Sequence, residues 1–471
     1  MLLPVIQILK DQGFSVIGLA PQHSAVDALK EAGISEAKTL QSWLVDRQAT
    51  KEISEKTVLV IDEAGLTNAR DMRDALDRAT TANARVVLVG DVNQYLSVGA
   101  GSPFGILQKN GMETAFVGSM KRQAGAQKFY QEAAKISVTD PAQAIRILNE
   151  NNAIIEIKDE KQQIDKLAEF YVSSPSSAQE TLLLTGTHKV KEAVNRSVRE
   201  SLGLVGRGKE VATFKESDAT KAEMRKATTY SEGRAVRFET RIEGRSAGSI
   251  GIVTSSDPFL NTVSLKFFDG SEKTYALDKI MKKEKQSWTL GRVEKKEFSV
   301  GERVRFTDSS LKKEQQIIRG LRGEIKNIDD KGNMTIKLDG GREIVLEADV
   351  KKPLPVDYGY AQTGHSAQGL GKETVILHAD PDSPTTSQRS FYTNITRMKE
   401  NLLVVTSDAK SLEASVSRQS EKSSALDVEK SEKTEEKAQE KAEEKTQEKK
   451  IAEKTEKKGI SLTQSLIRRP T

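Results

Sequence analysis

Two short runs, Val58-Leu59-Val60-Ile61 and Val86-Val87-Leu88-Val89, contain no polar residue, and a stretch with helical spacing at 68–80 lies between them. A strand that is apolar at every position has both faces covered, and two such strands joined by a helix make a βαβ unit of a buried parallel sheet. The C-terminal ends of the strands in such a sheet are where its ligands bind. Upstream the alternation continues. Residues 1–12 have helical apolar spacing and stop at Gly13, residues 14–20 form an apolar strand ending at Pro21, and 25–32 read as a further helix.

The same texture returns later in the chain. An apolar strand at 181–185 is followed by a helix at 189–202, and apolar strands recur at 374–378 and 401–406. These predict a second α/β domain with an insertion. The insertion repeats itself: Gly233-Arg234-Ala235-Val236-Arg237-Phe238 returns as Gly301-Glu302-Arg303-Val304-Arg305-Phe306, and Lys266-Phe267-Phe268-Asp269-Gly270 as Lys337-Leu338-Asp339-Gly340. The offset is about 70 residues, and each unit alternates apolar and polar positions and turns at Asp-Gly, which predicts two small SH3-like β-barrels.

The expected fold class is α/β. It comprises a partial first parallel-sheet domain at 1–150, the start of a second at 151–229, tandem barrels at 230–355 and the rest of the second domain at 356–410. A disordered Glu/Lys-rich tail is expected at 411–471. That tail accounts for much of the 30% charged content, and the net charge of +5 across 471 residues is too weak by itself to name a partner.

The absence of cysteine excludes disulfides, thiolate metal sites and cysteine nucleophiles, and fits a reducing, cytoplasmic setting. The four histidines, His23, His188, His365 and His378, form no HxH or HxxxH pattern, so a histidine metal site is not expected. No apolar run approaches the roughly 18 residues that span a bilayer, so membrane insertion is not expected.

The chemistry concentrates at strand ends. Asp62-Glu63-Ala64-Gly65 directly follows the first apolar run and places one carboxylate where a nucleotide's Mg²⁺ would sit and a second where a water would be activated. Gly90-Asp91-Val92-Asn93-Gln94 ends the next strand, and Gln94 has the reach of a γ-phosphate sensor. The bland reading of each is a helix cap or loop amide.

Together with Gln362-Thr363-Gly364-His365-Ser366-Ala367-Gln368-Gly369 and Tyr392-Thr393-Asn394-Ile395-Thr396-Arg397, these segments stand in the order of the motifs of superfamily 1 helicases. They most resemble the RecD-like branch, in particular the helicase part of TraI-type conjugative relaxases, over roughly residues 1–410. The resemblance implies two RecA-like domains, ATP and Mg²⁺ as ligands, and single-stranded DNA as partner, travelled in the 5′ to 3′ sense. It implies that Asp62 holds Mg²⁺, Glu63 orients the attacking water, Gln94 senses the γ-phosphate, and Arg122 and Arg397 are arginine fingers, with Gly90, Asp91 and Gly369 also at the nucleotide. On the DNA side it implies contacts from Pro21, Gln22 and His23, from Thr187 and His188, and from Thr363, His365, Ser366 and Gln368.

The chain departs from that family in one respect: no GxxxxGK[ST] loop occurs in the 471 residues. The expectation is therefore an N-terminally shortened helicase that binds ATP weakly, its loop or relaxase segment being a missing partner. The rival reading is a catalytically inactive module that binds DNA or recruits the chain to type IV secretion components through its barrels and tail.

Overall fold

The computed structural model describes residues 2–418, leaving out 47, 49–51, 98, 119–121, 218, 221, 283–287, 308–316, 318 and 349–352. The first lobe runs α1 (Leu2–Asp11), β1 (Ser15–Ala20), α2 (His23–Glu31), β2 (Ala37–Thr39), α3 (Leu40–Val45), β3 (Thr57–Ile61), α4 (Ala69–Thr81) and β4 (Arg85–Leu88). Its four strands are parallel in the order β2-β1-β3-β4. All five residues of β3 are buried, as its unbroken apolar run requires, whereas β4 is an edge strand with Val87 37% exposed. The α4 helix starts where the Asn68 side chain accepts from Asp71 N, and it turns Met72, Ala75 and Ala79 onto the sheet.

Three helices follow: α5 (Pro103–Lys109), α6 (Lys128–Ile136) and α7 (Pro141–Glu150). Phe104 of α5 joins the first core. Ala133, Ala144, Ile145 and Leu148 of α6 and α7 instead share a core with Leu182, Val375 and Leu402 of the second sheet. The packing boundary therefore falls before α6, not at residue 150, because the apolar stripes of these two helices match the second sheet's face.

The second lobe begins with β5 (Ile154–Glu156), α8 (Glu160–Val172), β6 (Thr181–Thr185) and α9 (His188–Ser201). The chain then leaves for β7 (Lys209–Glu216), β8 (Ala235–Phe238), β9 (Ile250–Asp257), β10 (Thr262–Phe267), β11 (Glu272–Ala276), α10 (Leu277–Lys282) and β12 (Trp288–Phe298). Those strands form one antiparallel sheet, β11-β10-β9-β8-β12-β7, over an aromatic core in which Trp288 Nε1 donates to Tyr230 OH at 2.9 Å. The second repeat supplies β13 (Arg303–Phe306), β14 (Arg322–Ile328), β15 (Met334–Leu338), β16 (Glu343–Leu346) and β17 (Val356–Tyr358), antiparallel in the order β16-β15-β14-β13-β17 with its own core.

The repeated segments thus hold equivalent places in two meanders, β8 with β13 and the 267–270 turn with the 338–341 turn. The insertion is wider than the expected 230–355, since β7 and β17 pair into it from either side.

The chain returns through β18 (Ala361–Thr363), β19 (Lys372–His378), α11 (Gln388–Ile395), β20 (Met398–Thr406) and α12 (Ala409–Val416). The second parallel sheet has the order β18-β6-β19-β20-β5. The α12 helix corrects the expected start of the tail at 411. Asp408 caps it by accepting from Ser411 N, and Leu412 and Val416, one turn apart, are fully buried in the second core. Residues 419–471, where the rest of the predicted tail falls, lie outside the described residues. Among the described residues no helix is long and apolar enough to cross a membrane.

Candidate functional site

The C-terminal end of β3 opens into the cleft between the lobes. Asp62 N donates to Leu19 O at 2.8 Å, and Asp62 Oδ1 accepts from Glu63 N at 2.8 Å. Glu63 has φ 49°, a left-handed backbone that costs a non-glycine residue about 1 kcal/mol or more and that clusters at functional sites. The neighbouring strand end packs tightly against this turn: a Cβ on Gly90 would come 3.2 Å from Ala64 N and Gly65 N. Burial raises both carboxyl groups above their ordinary range. At Glu63 that rise is opposed by the charges of Arg397 and Arg122 and reinforced by Asp62 and Asp91.

The second lobe reaches into this cleft from α11. A capping box between Ser387 and Ser390 starts the helix, and its buried face carries Phe391 and Ile395. Just beyond its end, Arg397 is 1% exposed, donating Nε to Thr393 O at 3.0 Å and Nη2 to Gln94 Oε1 of the first lobe at 2.7 Å. Burial, with the charge of Arg122 close by, lowers its pKa to about 10, so it stays cationic at neutral pH.

Arg122 donates Nη1 to Thr396 O at 3.1 Å and lies against Gly371, where a Cβ would meet its Nε at 3.2 Å. Asp91 accepts from Tyr392 OH at 2.6 Å and from Asn93 N at 2.8 Å. The structure therefore gathers Asp62, Glu63, Gly90, Asp91, Gln94, Arg122 and Arg397 at one interlobe seam. Gly369 makes its close approach elsewhere: with φ +78°, it faces α2, and a Cβ would come 2.8 Å from Ser24 Oγ.

A cavity of about 570 Å³ lies over the same seam and is lined by His188, Thr363 and His365 together with Tyr95, Arg389 and Asn394. The Tyr95 and His365 rings stack at 4.0 Å, and Tyr95 N donates to Thr393 Oγ1 at 3.1 Å. The hydroxyls of Thr363 and Ser366 pair at 3.2 Å, and the Thr187 side chain caps α9 by accepting from Val190 N. Pro21, Gln22 and His23 stand at the β1–α2 junction outside that lining, and burial lowers the His23 pKa. Their junction is tied to the same motif, because Ser24 Oγ donates to Gln368 O at 3.4 Å. Gln368 is 1% exposed, and neither of its side-chain amide atoms meets a partner among the described residues.

Sequence reasoning missed Tyr95, Arg389 and Gln123. Gln123 Nε2 bridges Thr396 O at 2.9 Å and Met398 O at 3.0 Å, fastening the Arg122 segment to the second lobe. Tyr95 directly follows Gln94, which was its one available signal. Arg389 donates to Val92 O and, at 3.3 Å, to Gln94 O, contacts with no local signature.

Comparison with known proteins agrees with this architecture. A family model described as an AAA domain matches residues 1–159. The conjugal transfer protein TraA of Agrobacterium fabrum is 30% identical over 205 residues, covering 42% of this chain and 18% of TraA. The multifunctional conjugation protein TraI of Escherichia coli K12 is 22% identical over an alignment covering 88% of this chain and 26% of TraI. The chain thus spans about a quarter or less of these relatives' length. Among solved structures, the Pif1 helicase from Candida albicans matches with a TM-score of 0.50 and 13% identity, covering 92% of each chain. The chain shares the fold of the Pif1 helicase structure and is similar in sequence to conjugation proteins of the TraA and TraI kind.

Proposed function

We propose that this chain is the motor part of an ATP-dependent DNA helicase that translocates on single-stranded DNA, in the 5′ to 3′ sense, during conjugative transfer in the cytoplasm. The observation that carries this reading is the bond from Arg397 to Gln94 beside Glu63, which joins the second lobe to the end of β4 within reach of a carboxylate pair. Its kinship with TraA and TraI supports the conjugative setting.

The residues present fit a nucleotide with Mg²⁺ in part. Asp62 is a half-buried carboxylate whose one bonded partner among the described residues is a backbone amide, and it would hold the cation. Bound ATP and Mg²⁺ would supply the phosphoryl group and neutralise its charge. Glu63 would orient water, and Arg397 and Arg122 would offset charge developing on the transferred group, the burial of Arg397 strengthening its effect. Gln94 would pass the state of that group to Tyr95, and through it to His365. The cradle does not fit, because the sequence lacks the Gly-Lys-Ser/Thr loop, so hydrolysis by this chain alone is expected to be weak.

The stacked Tyr95 and His365 rings support base stacking without sequence preference. The test is fluorescence anisotropy with a labelled oligo-dT together with DNA-stimulated ATP hydrolysis. Tyr95→Ala is expected to weaken oligo-dT binding about tenfold, one stacked base being worth ~1–3 kcal/mol. Unchanged binding would remove this cavity from the DNA path. Micromolar binding of a fluorescent ATP analogue with robust hydrolysis would overturn the expectation of a weak nucleotide site. The missing cradle also favours a second reading, a DNA-binding module without hydrolysis, for which Glu63→Gln would change nothing in either assay.

A further inference from the structure

A second cavity, about 430 Å³, lies away from the carboxylate pair, where the N-terminal turn of α9 meets β7, β12 and the outer face of the second antiparallel sheet. Among the described residues its lining holds six cationic side chains, Lys189, Lys191, Lys215, Lys296, Arg305 and Arg319, against three carboxylates, Glu192, Glu216 and Asp357.

The carboxylates are already shared. Asp357 accepts from Lys191 at 3.1 Å and from Lys296 at 2.6 Å, and Glu216 accepts from Arg237 and from Arg319, each at 2.8 Å. Lys215 pairs with Glu192. Arg305 is left over. It sits between Arg322 and Asp357 in the sheet register, and among the described residues no hydrogen bond or ion pair reaches its guanidinium. Burial and the neighbouring charge of Arg319 lower its pKa, with Asp357 opposing.

The α9 helix adds to the imbalance. Its first turn contains no acidic residue and carries His188, Lys189 and Lys191, so cations stand at the end of the helix where the backbone dipole is already positive. Holding a half-buried guanidinium with no direct ion pair among the described residues, its nearby carboxylates being shared with other cations, costs stability beside such a turn, and an anion in the cavity would relieve both. The guanidinium fork and the lysines suit tetrahedral oxyanions, which accept several charge-assisted bonds at once.

We propose that this cavity binds phosphate groups, with Arg305 as the central ligand and Arg319, Lys215 and the α9 N-terminal turn around it. His188 lines both this cavity and the one over Tyr95 and His365, so the two are neighbours, and a phosphodiester backbone bound in one would pass close to the other. The site does not depend on the nucleotide cleft and would stand even if the chain hydrolyses no ATP.

The experiment measures binding of two probes to the whole chain, inorganic tripolyphosphate by calorimetry and a labelled oligo-dT by anisotropy, across a salt series. Arg305→Gln is expected to weaken at least one probe about tenfold, as loss of a charged hydrogen bond implies, with Arg305→Lys restoring part of it. For the oligonucleotide the salt slope should also fall by about one. Weakening of the oligonucleotide alone assigns the site to a nucleic-acid strand, and weakening of tripolyphosphate alone assigns it to a free anion. Arg319→Gln, at a side chain 59% exposed, reads the same cavity should the Arg305 variant misfold. Lys273→Gln, on β11 of the other sheet, is the control for general charge. If both probes bind the Arg305 and Arg319 variants as they bind the parent, or if Lys273→Gln costs as much, the proposal is overturned.

Discussion

Arg397 Nη2 donates to Gln94 Oε1 at 2.7 Å across the interlobe cleft, linking residues 303 positions apart in the chain. With Arg397 1% exposed, a hydrogen bond to its charged group is worth ~1.5–3 kcal/mol. Gln94→Ala should therefore destabilise the chain by about that amount in urea denaturation. Combined with Arg397→Met in a double-mutant cycle, it should show a coupling of ~1 kcal/mol or more. Additive effects would mean that the two residues act independently.

Glu63 makes stability depend on pH with a defined sign. Burial raises its pKa, so the folded state holds the proton more tightly than the unfolded chain does, and folding is penalised as pH rises past the ordinary glutamate value of about 4.3. Glu63→Gln should accordingly stabilise the chain at pH 7, and the gain should shrink to nothing as pH falls below about 4. Denaturant midpoints of both proteins between pH 4 and 8 check this. A constant difference across that range would mean that the carboxyl is not the cause.

The insertion is clamped to the second lobe by buried charge. Arg199 of α9 donates Nε to Glu302 Oε2 at 2.9 Å, and Tyr360 OH donates to Glu302 Oε1 at 2.7 Å, with the Arg199 and Glu302 side chains 7% and 0% exposed. Arg199→Met alone strands the glutamate and should cost ~3–5 kcal/mol, whereas Arg199→Met with Glu302→Leu should recover most of it. Urea midpoints measure the first effect and its recovery. Limited proteolysis at the junction of α9 and β12 should follow the same order.

Much of the fold could be read locally. The apolar run at β3 implied burial on both faces and is buried throughout, and the carboxylate pair stands at its C-terminal end. The repeat at 233–238 and 301–306 marks equivalent strands because a meander built twice needs the same apolar alternation twice. Tyr95, Arg389 and Gln123 were not legible, since each earns its place through a partner roughly 270 to 300 residues away. The assignment of α6 and α7 to the second core, and the ordering of α12, were not legible either. A helical stripe shows that one face is buried, but not which sheet covers it.

The sequence by itself determined which segments are strands and helices, which side chains stand at the strand ends, and that no phosphate-cradling loop is among the 471 residues. Those properties follow from periodicity, turn chemistry and residue type, all encoded within a few neighbouring positions. Only the tertiary structure decided that Arg397 meets Gln94 beside Glu63, that Tyr95 lies on His365, and that Arg305 sits near α9 with no direct ion pair among the described residues. Contacts between distant segments depend on how whole faces pack, and charge balance at a junction exists only once the elements that share it have come together.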